Sequence, residues 1–291
     1  MLHRRKLGIA LGSGSARGWA HIGVLLALKE QAIALDYVAG CSMGAMVGAA
    51  FAAGRIEQLE SWAQALDWRR VVGLLDVGLG GGLFKGDRLL KMFQGQFVEC
   101  QFSELPLPFA AVATDLATGN ELWLREGKVS DAVRASCTVP GLFRPVLREG
   151  RYVVDGSVVN PIPVSLCRAM GAEVVIAVDL GSHMVRRFPL GAQDTPRTTR
   201  ERRRLFNILS PSPGGDSLPA PSIVDTLLGA IDIMQERIAQ ARLLREPPDV
   251  LLTPRLGQVG PFEYHRAALS ITEGRDAVAQ MLPVIQRTLA V

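Results

Sequence analysis

The first fifty residues alternate short apolar runs with segments whose apolar positions recur at helical spacing. Leu7–Leu11 is an apolar run that stops at a glycine, as a buried strand does. A glycine-rich turn leads from it into Trp19–Gln31, where the apolar positions fit a helix packed on a sheet. The same order returns at once, with a strand at Tyr37–Ala39, a turn at Gly40–Gly44 and a helix at Met43–Ala53. The chain therefore opens with two strand–turn–helix units.

The remaining pattern extends this alternation. Further strands are predicted at Phe109–Thr114, Glu121–Leu124, Tyr152–Val154, Glu173–Asp179 and Val250–Thr253. Helices are predicted at Asp87–Phe97, Val129–Cys137, Pro161–Met170, Ser222–Leu244 and Glu263–Leu289. Strands that alternate with helices imply an α/β fold with a mostly parallel sheet covered on both faces.

One segment interrupts the pattern and suggests the domain organisation. From Gly181 to Pro221 the residues are mainly Pro, Gly, Ser, Thr and Arg, which is typical of a long and flexible excursion. We therefore expect a catalytic core at residues 1–181, a basic flexible segment at 182–221, and a helical extension at 222–291 packed on the same domain. No internal repeat is visible.

Composition indicates a globular protein without metal or cofactor. The 291 residues are 48% hydrophobic but only 6% aromatic, enough to bury a sheet of aliphatic residues between helices. No stretch approaches the roughly 20 apolar residues that cross a bilayer. Cys41, Cys100, Cys137 and Cys167 form no C-x-x-C pair and have no histidine at metal-ligand spacing. We expect reduced thiols in a cytoplasmic protein, with no metal site and no cofactor.

The excess positive charge is concentrated in one segment. Val185–Arg204 contains seven Arg against Asp194 and Glu201, a net +5, whereas the whole chain carries +4. Nucleic-acid binding is not expected, because Phe188 is the only aromatic residue that interrupts this run. Either the segment is a solvated loop, or Arg186–Arg204 contacts an anionic partner such as the inner face of a membrane.

The strongest chemical signal is the pentapeptide Gly40-Cys41-Ser42-Met43-Gly44, a G-x-S-x-G motif between a predicted strand and a predicted helix. Such a turn lifts the serine hydroxyl above the sheet, and its glycines leave room for the bend. The N-terminus of the helix that begins at Met43 favours developing negative charge at the same place. This context predicts a nucleophilic serine, although a serine that merely caps a helix has the same sequence.

The glycine-rich turn Gly12–Gly18 indicates a second part of the site. It does not fit a dinucleotide loop, because Arg17 stands where the third glycine is required. It does not fit a P-loop either, because Trp19 follows Gly18. An oxyanion hole needs only about two backbone N–H groups aimed at one oxygen, which this turn supplies.

A serine nucleophile needs a base, and the sequence leaves two candidates. Asp155 ends a predicted strand and enters a glycine turn, where a carboxylate acts as base if burial raises its pKa. His183 follows a strand, and the order Ser42, Asp155, His183 is that of an α/β-hydrolase triad. His21 is interpreted as a packed or capping residue within the first helix, and His3 and His265 lie in terminal or polar surroundings.

Three motifs taken together resemble the patatin-like phospholipase family, and most of all its bacterial members grouped with neuropathy target esterase. They are the glycine turn ending in Arg17-Gly18, the pentapeptide around Ser42, and Asp155-Gly156. The resemblance implies a three-layer α/β/α sandwich and a Ser-Asp dyad that hydrolyses acyl esters of phospholipids or lysophospholipids. In it, Ser42 matches the nucleophile and Asp155 the general base.

The resemblance also assigns supporting roles. Gly14, Arg17 and Gly18 match the oxyanion loop, to which we add Gly12 and the N–H of Met43, while Gly40, Gly44 and Gly156 support the motifs. Two positions depart from the family pattern: Ser13-Gly14-Ser15 replaces a glycine triplet, and Ser157 replaces Gly or Ala after Asp155-Gly156.

The resulting hypothesis is an acyl hydrolase that works through an acyl-enzyme on Ser42. Leu83, Phe84, Leu142 and Phe143 are candidates for an acyl channel or for plain core positions. A Ser42-Asp155-His183 triad esterase and a regulatory binding protein with a vestigial site remain the alternatives. The sequence leaves the oligomeric state open.

Overall fold

The computed structural model describes residues 4–70, 93, 95–181 and 223–290. The strands are β1 (Leu7–Leu11), β2 (Tyr37–Cys41), β3 (Phe109–Asp115), β4 (Glu121–Leu124), β5 (Val146–Arg148), β6 (Arg151–Asp155), β7 (Val174–Val178) and β8 (Val250–Leu252). The α-helices are α1 (Ala20–Glu30), α2 (Met43–Ala52), α3 (Ile56–Gln64), α4 (Val129–Ser136), α5 (Val164–Ala169), α6 (Ile223–Arg245) and α7 (Ala267–Ala290). Short 3-10 turns occupy Ser15–Trp19, Phe102–Glu104, Gly156–Val158 and Tyr264–Arg266.

The eight strands form one mixed sheet in the order β5-β6-β3-β2-β1-β7-β8, with β4 also paired to β3. The central strands β3, β2, β1, β7 and β8 are parallel to one another, whereas β4, β5 and β6 join by antiparallel pairing. Helices cover both faces. This confirms the expected three-layer α/β/α arrangement around a mostly parallel sheet.

The two faces of the sheet have separate apolar cores. The larger core places strand residues such as Ile9 and Ile176 against α1, α2, α4 and α7. On the other face Ala10, Ala39 and Val112 pack against residues of α5 and α6. Both faces of the central strands are buried, which explains their nearly continuous runs of Ala, Val and Ile.

The part of the chain after residue 222 packs on the same sheet. β8 extends the sheet beyond β7. Helix α7 crosses α1 at two glycines: a methyl group on Gly23 would overlap the carbonyl of Ile271, and one on Gly274 would overlap that of Ala20. Close backbone approach therefore requires glycine at both positions. The proposed domain boundaries at 181 and 222 stay a prediction.

The sequence prediction differs from the structure at several elements. Helix α3 was not predicted, although Ile56, Leu59 and Ala63 supply its buried stripe. Strand β5 was missed because its three residues are too few to show a periodic pattern. The helix expected from Pro161 begins only at Val164. The predicted helix Asp87–Phe97 lies largely outside the described residues, as does the whole basic segment.

Candidate active site

Ser42 sits in the turn between β2 and α2, as the sequence predicted. Its backbone has φ 53° and ψ −122°, a conformation in which a side chain is strained. The flanking glycines are required by close packing: a methyl group on Gly40 would overlap Gly44 and Ala45, and one on Gly44 would overlap the carbonyl of Leu11. The glycines thus permit the sharp bend that presents Ser42 at the carboxyl end of the sheet.

A buried serine that sequence reasoning missed fixes this turn. The Ser42 N–H donates to Ser136 Oγ over 2.9 Å, and Ser136 is fully buried at the end of α4. The N–H of Ser42 is therefore satisfied by a side chain and is not available to a substrate oxygen. No local pattern marks Ser136, because its partner lies 94 residues away.

The strand register brings Asp155 close to the Ser42 turn. Val112 of β3 pairs with both Cys41 and Trp123, and the next residue, Ala113, pairs with both Leu122 and Asp155. Since β4 pairs with one edge of β3 from Ala111 to Thr114, β2 and β6 must follow each other along the opposite edge. Asp155 consequently lies directly beyond Cys41, and its Oδ1 is 3.9 Å from Cys41 Sγ.

The environment of Asp155 suits a general base. Burial raises its pKa from 3.8 to about 6, and hydrogen bonds from Ser157, Ser42 and Cys41 oppose that rise. Oδ1 accepts the Ser157 N–H at 2.8 Å. Oδ2 is buried and accepts no hydrogen bond from the part of the chain that the structure describes. The Ser42 hydroxyl is thus close enough to the Asp155 carboxyl to lower its pKa.

Two thiols border the pair. Burial and, next, the charge of Asp155 raise the pKa of Cys41 and of Cys137 well above the ordinary thiol value. Both side chains are therefore neutral, and neither competes with Ser42 as a nucleophile near neutral pH.

The glycine turn lies against the start of α2. A methyl group on Gly18 would overlap the Met43 side chain, so the two segments are in direct contact. Within the turn, the Gly12 N–H donates to Val178 O and the Arg17 N–H to Gly14 O. By contrast, no described residue accepts a hydrogen bond from the N–H of Gly14, Ser15 or Met43. These three N–H groups are the best candidates for oxyanion donors.

The predicted oxyanion residues Gly12 and Arg17 have supporting positions. His21 Nε2 lies 2.7 Å from Gly12 O, and burial lowers the pKa of this histidine to about 4, so a neutral imidazole holds the turn. Arg17 is buried, with its Nε 3.3 Å from Gly14 O and a guanidinium nitrogen 3.7 Å from Asp232 on α6. His21 therefore acts on the loop and not on Ser42.

Helix α6 forms one wall of the pocket above Ser42. Asp232 reaches Arg17, and Gln235 Nε2 donates to Ser157 Oγ over 2.7 Å. Most of the pocket wall is apolar. Its larger apolar side chains include Trp19, Met43, Met46, Trp62, Leu66, Leu142, Phe143, Ile162, Leu180 and Ile231. Leu142 and Phe143 thus line the pocket, whereas Leu83, Phe84 and His183 lie outside the described residues.

Residues 9–168 match the patatin-like phospholipase family. This chain belongs to that family. The matched residues include the glycine turn, the Ser42 pentapeptide and Asp155-Gly156. Membership supports a role in hydrolysing lipid esters.

Two relatives and one solved structure are similar to this chain. An NTE family protein of Mycobacterium tuberculosis is 29% identical over 97% of this chain and 92% of its own length. Mouse patatin-like phospholipase domain-containing protein 6 is 34% identical over 60% of this chain and 14% of its own. The crystal structure of VipD from Legionella pneumophila aligns with a TM-score of 0.52 at 14% identity, covering 97% of this chain and 67% of VipD, which supports the shared fold.

No helix among residues 4–70, 95–181 and 223–290 combines the length and apolar character that crossing a bilayer requires.

Proposed function

We propose that this patatin-like protein is a serine esterase for phospholipids or lysophospholipids, with Ser42 as nucleophile and Asp155 as base. The observation that carries the proposal is the placement of both side chains at one point on the carboxyl edge of the sheet, with the pKa of Asp155 raised to about 6 by burial. Such a carboxylate is mostly ionised at pH 7 and still basic enough to accept a proton.

The chemistry follows from these positions. Asp155 takes the Ser42 proton as Oγ attacks the ester carbonyl, and the oxyanion accepts hydrogen bonds from N–H groups of the glycine turn and of Met43. Collapse of the tetrahedral intermediate expels the alcohol, which receives the proton from Asp155. Water, deprotonated by Asp155, then attacks the acyl-enzyme, releasing the fatty acid and returning the proton to Ser42.

The pocket favours a lipid over a polar ester. Its wall is mainly apolar. Binding of a fatty acyl chain there becomes more favourable by about 0.8 kcal/mol for each CH₂ group removed from water. No histidine lies among the described residues of this wall, and His183 lies outside the described residues. The Ser42-Asp155-His183 triad therefore remains the alternative to the dyad. Peripheral contact with anionic membrane through Arg186–Arg204 remains a separate proposal.

The direct test is fatty acid release by the purified protein, measured by mass spectrometry. The substrates are lysophosphatidylcholine, phosphatidylcholine and a short-chain fluorogenic ester. We expect release from at least one lipid, and labelling by a fluorophosphonate probe. Failure with all three esters, together with no labelling, would favour the regulatory binding protein.

Ser157 and Gln235 are expected to tune the base. The Ser157 side chain lowers the pKa of Asp155, and Gln235 orients that hydroxyl by donating to its oxygen. In Ser157→Ala the pKa of Asp155 should rise, so the acid limb of kcat/KM moves upward by about 0.5–1 in pH. Gln235→Leu should move it less, in the same direction, and Ser61→Ala on α3 serves as control. An unchanged acid limb in Ser157→Ala would contradict this role.

A further inference from the structure

Ser15 has a backbone conformation that residues other than glycine rarely adopt. Its φ is 49°, in the left-handed region, where a side chain is unfavourable. Ser15 begins the 3-10 turn Ser15–Trp19, and no described residue accepts a hydrogen bond from its N–H, which is one of the candidate oxyanion donors. Because a small rotation of the backbone redirects an N–H group, contacts that hold Ser15 in this conformation also set the direction of that donor.

The contacts that hold Ser15 come from residues 261–264, far along the chain. The Ser15 hydroxyl donates to Pro261 O over 2.6 Å, and the N–H of Ala16 donates to the same carbonyl over 3.1 Å. Ser15 Oγ is also 3.1 Å from the Tyr264 hydroxyl. A serine hydroxyl has a single proton, which is directed at Pro261 O, so the Tyr264 hydroxyl is the donor in this second bond.

Tyr264 is itself fixed by Trp19, at the other end of the 3-10 turn. Trp19 Nε1 donates to Tyr264 O over 3.1 Å, and the two rings meet edge to face with centroids 6.1 Å apart. Within the segment, the Glu263 carboxylate accepts the N–H of Gly260 over 2.9 Å. The Tyr264 hydroxyl is therefore presented to Ser15 from a fixed position.

Tyr264 belongs to the pocket wall, as do Ser15 and Ser42. Burial raises the pKa of the Tyr264 phenol above its ordinary value, so the hydroxyl is protonated and able to donate at neutral pH. Residues 261–264 lie outside residues 9–168, which match the family. The C-terminal part of this chain thus supplies a contact to the glycine turn that the family-matched part does not contain.

We propose that Tyr264 is a positioning residue: its hydrogen bond to Ser15 holds the Ser15 N–H in the direction needed to donate to the substrate oxyanion. This role rests on the proposed function, in which Ser42 forms a tetrahedral intermediate with an ester. Donors that need no reorientation as charge develops on the oxygen stabilise the transition state most. Loss of a whole oxyanion donor lowers kcat by about 10²–10³-fold. A smaller loss is expected here, because the N–H remains and only its direction is loosened.

The test is Tyr264→Phe, which removes the hydroxyl and keeps the ring against Trp19. We expect kcat for a soluble short-chain ester to fall about tenfold with KM nearly unchanged, since the donor acts on the transition state. An alkyl trifluoromethyl ketone probes the same donor, because Ser42 Oγ adds to its carbonyl carbon, and the serine proton passes to Asp155, to give a tetrahedral oxyanion. Its Ki should rise by the same factor, whereas the Ki of the matching secondary alcohol, which has no oxyanion, should not change. Tyr152→Phe, which removes the hydroxyl of a tyrosine that is 59% exposed, is the matched control and should behave as wild type.

Ser15→Gly provides a second variant that keeps the backbone conformation. Glycine adopts a φ of 49° without strain but has no hydroxyl to be held, so kcat should fall at least as much as in Tyr264→Phe. Tyr264→Phe should then cause no further loss in the Ser15→Gly background, because the contact between the two side chains is already gone.

The outcomes separate this role from the proposed function. An active wild type whose kcat is unchanged in Tyr264→Phe would overturn the positioning role alone. Equal loss of affinity for the ketone and the alcohol would also overturn it, since the substitution would then disturb the pocket as a whole. Independent effects of the two substitutions in the double variant would do the same. A wild type that hydrolyses none of the esters and is not labelled by the fluorophosphonate would overturn the proposed function and, with it, this role.

Discussion

Replacing Ser42 with alanine is expected to lower kcat for ester hydrolysis by at least about 10³-fold and to abolish fluorophosphonate labelling. Ser42 is the proposed nucleophile, and the neighbouring thiols do not compete with it, because the pKa values of Cys41 and Cys137 are raised well above neutrality. Initial rates and labelling measure the loss. Ser61→Ala, on the exposed surface of α3, is the control and should match wild type.

A matched glycine variant separates chemistry from folding. At φ 53° and ψ −122° any side chain at position 42 is strained, whereas glycine is not. Ser42→Gly should therefore be as inactive as Ser42→Ala but more stable by about 1 kcal/mol. Thermal unfolding of the two variants measures the difference. Activity retained in either variant would refute the nucleophile assignment.

The parts of the site that the sequence predicted are those whose geometry is set locally. A strand, a glycine turn and a helix, all close together in the chain, determine the conformation of Ser42. The contact between Gly18 and Met43 follows from two such units lying on adjacent parallel strands. Local periodicity and turn chemistry are sufficient for both.

The rest depends on pairings between distant residues, which leave no periodic signal. The glycine turn makes Asp155 a candidate, but its closeness to Ser42 follows only from the strand pairing. β2 pairs with β3 as far as Val112, and β6 pairs with the same edge of β3 from Ala113 onward. Ser136 is 94 residues from its partner, and Gln235 is 78 residues from Ser157. In isolation each is an ordinary polar residue on a helix, so its role emerges only from tertiary packing.

Asp155→Asn should reduce kcat by about 10³-fold, because the amide cannot accept the Ser42 proton. In wild type, kcat/KM should rise with pH through about 6 as Asp155 ionises. His183→Ala tests the alternative: the dyad predicts near wild-type rates, whereas a triad predicts a loss as large as that of Asp155→Asn. Ester hydrolysis by the three proteins between pH 5 and 8 distinguishes these outcomes.

Asp155→Asn should also stabilise the fold at high pH. Because burial raises the pKa of Asp155 from 3.8 to about 6, the folded state favours the protonated carboxyl, and stability falls as pH rises between these values. Above pH 6 the buried charge costs about 2–3 kcal/mol, which the neutral amide of the variant does not incur. Asp155→Asn should therefore unfold at a higher temperature than wild type at pH 8, and this advantage should disappear near pH 4. An inactive variant that is also more stable at pH 8 would show that the fold sustains a buried carboxylate for its chemistry and not for its stability.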